Sequence, residues 1–490
     1  ADTTPVPCDH CEVCDFEAMC EARWRSEDAV HLVANVRTVD LPALEANGIE
    51  MLADLADAHP GAEVEGIDPD RLAQMSIQAE LQRAARDSRD EAPPFRFIDV
   101  ADGPPGSLGY EQLPEPDDGD IFLDFEGHPF WRPSDDLIFL FGWICRDGSG
   151  DDDAAGVGWT YHARWAHDLA EERTQVGALI EYLAERRKRW PDMHVYHYNH
   201  TERSALERLA RQHGVGEVLL DDLVGTGAFV DLLAVIRDGM QVGVESYGLK
   251  HLEALAGYQR GADIEQGSGA VVAYEEFMAD GDPASLDRIA AYNADDVRAT
   301  RAVRDWLLEQ RDDAHDWRDA ELVPEELPEE LVARVAALKE FGPGTDEHLL
   351  ADVLGYWQRE WSAHKAQQMS RLAGSTSSLL EDPLVIGSLT WEAEIPRVHK
   401  TRRTPLDPAM RFSFPHQEIH PGIDPRGRFM FETPDGRAAY ASVASMGSGF
   451  IDLAWNESSR ELGVLPEAIF FNDWVAPKPK PETRDDFAAR

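Results

Sequence analysis

The six residues Ile121-Phe122-Leu123-Asp124-Phe125-Glu126 place two carboxylates in a run that otherwise has the composition of a buried β-strand. Side chains alternate between the two faces of a strand, so Asp124 and Glu126 point to the same side. Two carboxylates held close together raise each other's pKa unless a cation lies between them. Carboxylate oxygens prefer a hard divalent ion, Mg²⁺ or Mn²⁺, as that cation. The run therefore predicts a metal-binding strand or, as the alternative, the solvated end of an edge strand.

The chain around this run alternates between strand-like and helix-like segments. Strands are predicted at 120–126, 137–145, 157–162 and 193–199, and helices at 166–189, 201–213 and 284–310. Two or three antiparallel strands followed by strand–helix units are typical of an α/β domain with a mixed sheet flanked by helices. We predict that residues 119–310 form this main domain.

Composition divides the rest of the chain into six further segments. Residues 1–25 carry a cysteine cluster, 26–90 a helical connector, 91–118 a linker rich in Pro and Gly, 311–382 an acidic helical region, 383–475 a β-rich domain and 476–490 a second linker. Short alternating runs divided by Pro-Asp-Gly and Pro-Arg-Gly turns predict a small barrel for the β-rich domain.

Acidic residues dominate the charge of this chain. It has 93 Asp and Glu against 46 Lys and Arg, and the net charge is −47. Such a surface repels a polyanion at low salt, and it keeps a protein soluble in concentrated salt. We interpret it as the mark of a halophilic source, with a generic acidic protein as the alternative. A nucleic-acid partner would have to be held by metal ions and local arginines.

Hydropathy gives no sign of a membrane or an export route. No run of 18 apolar residues is present, and no charged segment precedes an apolar signal-like segment. We expect a cytoplasmic protein without a membrane partner.

Further candidate ligands lie downstream of the first strand. Tyr292 and Asp296 are four residues apart in a helical segment and therefore share one face. Glu202 lies in the first turn of the helix after the strand that ends at Asn199, where the helix N-terminus also favours an acid. Asp231 lies among apolar residues in "FVDLLAVIR".

Together with Asp124 and Glu126, these acids predict phosphoryl transfer at a pair of divalent ions, Mg²⁺ or Mn²⁺. Two such ions about 4 Å apart clamp the attacking and leaving oxygens of a phosphodiester, and Tyr292 would position the attacking water. The alternative for each later acid is an ordinary helix surface or helix cap.

The motif order "FLDFEG", "YHYNHTE", "FVDLLAVIR", "SYGLKHLE", "YNADDV" resembles the DnaQ-like, DEDD-type 3′–5′ exonuclease superfamily, which has a ribonuclease-H-like fold. It resembles more closely the YprB-type domain of RecB-like nucleases, which are often fused to a superfamily 1 helicase. The resemblance implies Asp124, Glu126 and Asp296 as metal ligands and puts Tyr292 in the place of the general base. The family's middle motif has an aspartate shortly after an asparagine, whereas here Glu202 follows Asn199 at altered spacing.

This resemblance implies metal-dependent 3′–5′ hydrolysis of nucleic acid, with single-stranded DNA ends as the substrate, in a nuclease–helicase of DNA repair. The irregular middle motif favours the alternative, a catalytically silent ribonuclease-H-like scaffold that binds DNA.

Four cysteines lie close together near the start of the chain. Cys8, Cys11, Cys14 and Cys20 have the spacing C-x₂-C-x₂-C-x₅-C, which suits Zn²⁺ or an iron–sulfur cluster. The run "HCEVCDFEAMC" resembles the tail that closes the iron–sulfur nuclease domain of RecB/AddB-type enzymes. That resemblance implies a [4Fe–4S] cluster, with Zn²⁺ as the alternative. It also implies a longer chain that contains a PD-(D/E)XK nuclease core and a helicase motor.

Three segments are candidates for contact with nucleic acid. Lys250 lies in "SYGLKHLE", and Arg402 and Arg403 lie in "RVHKTRRT", the densest basic patch of the chain. Arg402 and Arg403 would alternatively neutralise nearby acids. Residues 41–58 resemble a helix-hairpin-helix, whose backbone N–H groups bind phosphates; a plain helical connector is the alternative.

Overall fold

The computed structural model describes the greater part of the chain. The described residues are 5–7, 11, 14–38, 40–58, 64–67, 69–88, 92–98, 109–132, 135–146, 158–199, 201–261, 267–311, 317–318, 329–342, 344–354, 384–398, 405–414, 417, 419, 428–433, 438–447 and 449–472. Cys8, Arg402 and Arg403 lie outside them, and so does the predicted linker at 476–490.

The N-terminal region is helical. Its helices are α1 (Glu17–Glu27), α2 (Leu41–Ala46), α3 (Leu52–Ala56) and α4 (Pro69–Asp87). Helices α2, α3 and α4 contribute to a small apolar core in which Leu44, Leu52 and Leu55 are fully buried. The short helices α2 and α3 flank Asn47-Gly48-Ile49, and Gly48 takes the positive φ of 75° that this turn needs.

Part of the predicted linker at 91–118 has regular structure. Residues Phe95–Phe97 form strand β1, Gly109–Gln112 form a short 3₁₀ helix, and the Leu113 side chain is fully buried. Pro and Gly interrupt long helices and strands, but the apolar residues between them still gain free energy by packing on the neighbouring domain.

A five-stranded mixed sheet forms the centre of the main domain. Its strands are β2 (Ile121–Arg132), β3 (Asp135–Arg146), β4 (Trp159–Trp165), β5 (Val195–His197) and β6 (Phe229–Asp231), in the order β4-β3-β2-β5-β6. The strands β2, β3 and β4 pair antiparallel, whereas β5 runs parallel to both β2 and β6. This arrangement confirms the predicted α/β domain with a mixed sheet flanked by helices.

Helices cover both faces of this sheet. They are α5 (Leu169–Arg189), α6 (Thr201–His213), α7 (Glu217–Gly225), α8 (Leu232–Gly239), α9 (Leu249–Leu252), α10 (Gly267–Asp280) and α11 (Pro283–Gln310). A further strand, β7 (Met240–Val242), pairs antiparallel with β1.

The two faces of the central strand β2 pack against different helices. Ile121 and Leu123 belong to a core that α5, α6 and α7 complete. Phe122 belongs to the core on the opposite face, together with Val297 and Leu307 of α11. Because side chains alternate along the strand, Asp124 and Glu126 lie on the α11 face.

The C-terminal part combines two helices with an antiparallel sheet. Its elements are α12 (Glu329–Lys339), α13 (Asp346–Leu354), β8 (Val385–Ile386), β9 (Thr390–Val398), β10 (Pro405–Ser413), β11 (Arg428–Glu432), β12 (Ala438–Gly447), β13 (Phe450–Ala454), helix α14 (Glu457–Glu461) and β14 (Ile469–Asn472). The seven strands follow the order β8-β14-β11-β12-β13-β10-β9.

The edge strands β8 and β9 of this sheet are separated along the chain by residues 387–389 alone, so the sheet must curl to bring its edges near each other. The sheet forms a half-barrel, which agrees in part with the predicted small barrel: β8 has only two residues, and the described strands show no β8–β9 pairing that would close the sheet. Among the described helices, none is long and apolar enough to cross a bilayer.

Candidate metal and active site

Three of the predicted ligands converge at one point in the main domain. Asp124 and Glu126 of β2 and Asp296 of α11 each offer a carboxylate oxygen, and these oxygens all lie within 4.8 Å of one another. Glu126 and Asp296 are buried, whereas Asp124 is half-buried. Within the described residues, no other group of three His, Cys, Asp or Glu side chains is this close. We call these three residues the carboxylate triad.

A buried asparagine joins the strand of the triad to its helix. The Asn293 side chain is fully buried, and its Nδ2 donates to the backbone oxygen of Asp124 at 3.2 Å and to Asp124 Oδ2 at 2.7 Å. Its Oδ1 accepts a hydrogen bond of 2.9 Å from the hydroxyl of Tyr161. Both polar ends of Asn293 are therefore satisfied, which fixes the orientation of the Asp124 carboxylate.

Gly142 provides the space for this asparagine. It lies opposite Asp124 in the β2–β3 ladder, and a Cβ atom at this position would lie 1.6 Å from Asn293 Oδ1. Sequence reasoning missed Asn293 and Gly142. The available signal was the spacing of Ile289, Asn293 and Val297, which puts an amide on the apolar face of α11.

Mutual repulsion and burial set the protonation of the triad. Burial, followed by the charge of Asp296, raises the pKa of Glu126 to about 8. Burial and then the charges of Asp296, Glu126 and Glu202 raise the pKa of Asp124 well above its usual range. The pKa of Asp296 is also raised by burial, although Arg260 opposes the shift. Three oxygen donors that resist ionising beside one another fit a hard divalent cation, which would replace their protons.

Tyr292 lies against the triad as a neutral phenol. It is buried, and it makes a side-chain hydrogen bond to Asp296. Burial and the charges of Asp296, Glu126 and Asp124 raise its pKa far above the ordinary value. The Lys250 ammonium lies 4.7 Å from the centre of the Tyr292 ring. A phenol in this position can orient water, whereas its ionised form is disfavoured.

Glu202, from the middle motif, lies near the triad but does not belong to it. Glu202 is buried in the first turn of α6, outside the triad, and its Oε2 lies 3.8 Å from Nδ1 of His197. Burial, together with the charges of Asp231 and Asp296, raises the pKa of Glu202 to about 8. Glu202 is thus close enough to the triad to act on it through charge.

Asn199 and Asp231 hold the turn that precedes α6. Asn199 adopts a φ of 72°, and its backbone N–H donates to Asp231 Oδ1 at 2.9 Å. The same oxygen caps α8 by accepting from the backbone N–H of Leu233 at 2.9 Å. In this arrangement both residues fix the backbone that leads to Glu202.

A cation missed by sequence reasoning contacts the triad directly. Arg260 Nη1 lies 2.7 Å from Asp296 Oδ1. The Arg260 side chain also contacts Glu253, with Nε donating to both carboxylate oxygens at 3.0 and 2.9 Å. No spacing in the sequence links position 260 to position 296, so this pair becomes visible only in three dimensions.

The described cysteines do not form a metal-ligand group. Cys11, Cys14 and Cys20 are half-buried, and Cys145 is buried in β3. In the part of the chain that the structure describes, the carboxylate triad is the one group of three His, Cys, Asp or Glu side chains whose ligand atoms all lie within 4.8 Å of one another. The iron–sulfur and zinc sites therefore stay predictions.

Comparison with known proteins agrees with this geometry. A family model described as the RNase H superfamily matches residues 121–308. The match begins at β2 and ends within α11, so it contains the whole triad together with Asn293 and Arg260. No curated protein and no solved structure matches the chain.

Proposed function

Because residues 121–308 form a ribonuclease-H-like domain, we propose that this chain hydrolyses phosphodiester bonds of nucleic acid with the help of divalent metal. In this proposal it acts as a 3′–5′ exonuclease on single-stranded DNA ends. The supporting observation is the convergence of Asp124, Glu126 and Asp296, whose ligand oxygens lie within 4.8 Å of one another although the residues are far apart in the sequence.

The triad residues would hold Mg²⁺ or Mn²⁺ through their carboxylate oxygens. Such an ion supplies Lewis-acid stabilisation of negative charge on phosphate and favours ionisation of water at neutral pH. Asn293 keeps the Asp124 carboxylate in one orientation, which reduces the reorganisation that binding requires.

In this proposal Tyr292 and Lys250 interact with the attacking water and the substrate. The buried phenol of Tyr292 is hydrogen-bonded to Asp296 and would orient the attacking water. The Lys250 ammonium, close to the Tyr292 ring, would contact a phosphate oxygen. In a chain with a net charge of −47, a lysine beside the triad offsets part of the repulsion of a polyanion.

A cleavage assay on end-labelled oligonucleotides tests the proposal. Wild type with Mn²⁺ or Mg²⁺ should shorten single-stranded DNA from its 3′ end, and Asp124→Asn should lose this activity by at least about 100-fold. The matched control is Asp287→Asn, which removes an exposed carboxylate from the same helix α11 and should cleave like wild type. Parallel substrates of RNA and of double-stranded DNA define the specificity. Cleavage that survives in Asp124→Asn would reject the assigned site.

A second candidate function is a silent scaffold that binds nucleic acid without cutting it. The position of Glu202 outside the triad and the ion pair of Arg260 with Asp296 both favour it. The scaffold predicts that wild type and Asp124→Asn bind single-stranded DNA equally well and that neither cleaves it with any divalent ion.

The resemblance to RecB-like nucleases supports a wider proposal about the natural context. We propose that the chain works in the cytoplasm of a halophilic organism, in DNA repair, as part of a longer chain with a helicase motor and a PD-(D/E)XK nuclease domain. Cys8, Cys11, Cys14 and Cys20 would then hold a [4Fe–4S] cluster, or Zn²⁺ as the alternative. Iron and zinc analysis of anaerobically purified protein, with its visible absorption spectrum, separates these outcomes.

A further inference from the structure

Arg260 is held beside the triad by one contact with Asp296 and several contacts with Glu253. Besides the contact of Nη1 with Asp296, Nη2 lies 2.8 Å from Glu253 Oε2 and Nε donates to both oxygens of Glu253. The side chain is only 14% exposed. A guanidinium stays protonated at every pH that proteins tolerate, so Arg260 brings a permanent positive charge to Asp296.

The loop that carries Arg260 is attached to α11 on both sides of that residue. Asp295, next to the metal-ligand position, accepts a hydrogen bond of 2.8 Å from the Tyr258 hydroxyl and one of 2.9 Å from the backbone N–H of Gly261. Asp295 and Asp296 therefore divide their roles: the first fixes the loop, and the second receives the arginine that the loop carries. The guanidinium is positioned in advance, as electrostatic stabilisation requires.

Few carboxylate oxygens remain near the triad to bind a second divalent ion. One oxygen of Asp296 already contacts Arg260, and a divalent ion on that same oxygen would repel the guanidinium. Glu202, the residue that the sequence offers as the fourth carboxylate, lies outside the triad. The triad therefore offers one compact set of ligand oxygens, with a fixed cation on its Asp296 side.

We propose that Arg260 is the second cation of this site, so that the domain binds one divalent ion per chain where the sequence motifs predict two. The inference rests on the proposed function, because it assumes that the triad binds metal. Arg260 acts here as a positioning residue: it holds Asp296 and supplies charge, and it leaves Asp124, Glu126 and the other Asp296 oxygen to the ion.

Mn²⁺ binding, measured without any substrate, tests the proposal. Titration followed by electron paramagnetic resonance gives the number of bound ions, and Asp124→Asn, titrated in parallel, gives the background from the acidic surface. Wild type should bind one ion above this background, with the spectrum of isolated Mn²⁺. Arg260→Gln should bind a second ion or show a pair of spin-coupled ions, whereas Arg260→Lys, which keeps the charge, should bind one.

A matched control removes an arginine that pairs with an aspartate in the C-terminal sheet, outside the domain that contains the triad. Arg411 forms a two-pronged contact with Asp452 at 2.7 and 3.0 Å in the C-terminal sheet, and Arg411→Gln should leave the Mn²⁺ count at one. Circular dichroism verifies that each variant is folded, and a wild-type count of two refutes the proposal whether or not Arg260→Gln folds.

The outcomes separate this inference from the proposed function. Two ions in wild type, together with Asp124-dependent cleavage, would refute the role of Arg260 and leave the nuclease proposal standing. No Mn²⁺ above the Asp124→Asn background would reject both. One ion in both wild type and a folded Arg260→Gln would also reject the role of Arg260.

Discussion

Replacing Glu126 by Gln should stabilise the metal-free protein while removing its metal site. In the folded protein, burial and the charge of Asp296 raise the pKa of Glu126 from 4.5 to about 8. The folded state therefore binds a proton that the unfolded state releases between these two pH values. A carboxyl group with a raised pKa leaves the free energy of unfolding at its highest value below the unfolded pKa. That free energy decreases as pH rises from the unfolded pKa toward the folded pKa.

The magnitude follows from the two pKa values. At pH 7 the unfolded carboxyl is almost fully ionised, whereas the folded one is mostly protonated, and the linkage costs about 3 kcal/mol of folding free energy. The Gln side chain does not ionise, so Glu126→Gln avoids this cost in folding free energy. Part of the gain is offset because the hydrogen bond between residue 126 and Asn293 changes. We expect a net gain of about 2 kcal/mol at pH 7, which raises the melting temperature of a domain this size by about 4–8 °C.

The assay is thermal or urea denaturation in EDTA at fixed ionic strength, from pH 4 to pH 8. The advantage of Glu126→Gln should be close to zero near pH 4 and should grow as pH rises. Glu309→Gln, an exposed position on α11, is the control and should show no such trend. A Gln variant that is less stable than wild type at pH 7, or an advantage independent of pH, would refute the reasoning.

Three further predictions concern the same site. Gly142→Ala should destabilise the protein by about 2 kcal/mol or more, because its Cβ would lie 1.6 Å from Asn293 Oδ1; an unchanged melting temperature would contradict this. Asn293→Ala should lower Mn²⁺ affinity about 10-fold or more in calorimetric titration, because the Asp124 carboxylate loses its hydrogen bond; equal affinity would show that Asn293 does not orient the ligand. Saturating Mn²⁺ should raise the melting temperature more at pH 8 than at pH 5, because protons compete for the triad whose pKa values are raised. The same shift at both pH values would contradict that competition.

The sequence predicted the parts of the site that depend on local periodicity. The alternation in β2 placed Asp124 and Glu126 on one face, and the four-residue spacing in α11 placed Asp296 beside Tyr292. Both rules apply along a single element and need no knowledge of its neighbours. The convergence of strand and helix came from the resemblance of the motif order, which periodicity alone would not provide.

The residues that were missed depend on contacts between elements. Arg260 reaches Asp296 from a loop, Asn293 contacts β2 from a helix, and Gly142 matters because the helix approaches it closely. From the local sequence alone, each of these residues has an ordinary interpretation: a surface arginine, a helix asparagine and a strand glycine. The role of Asp231 was similarly ambiguous, since a cap of α8 and a metal ligand both require a carboxylate.

Because Asn293 packs closely against Gly142, the metal site can form only when strands β2 and β3 pair in the correct register. A slip of one residue between β2 and β3 would place Phe141 or Trp143 opposite Asp124, and helix α11 would then have no room for its asparagine. A chain with the wrong register can still contain its helices and strands, yet it cannot assemble three oxygens for an ion. Metal uptake at this site thus reports correct folding of the sheet, and misfolded copies would remain inert.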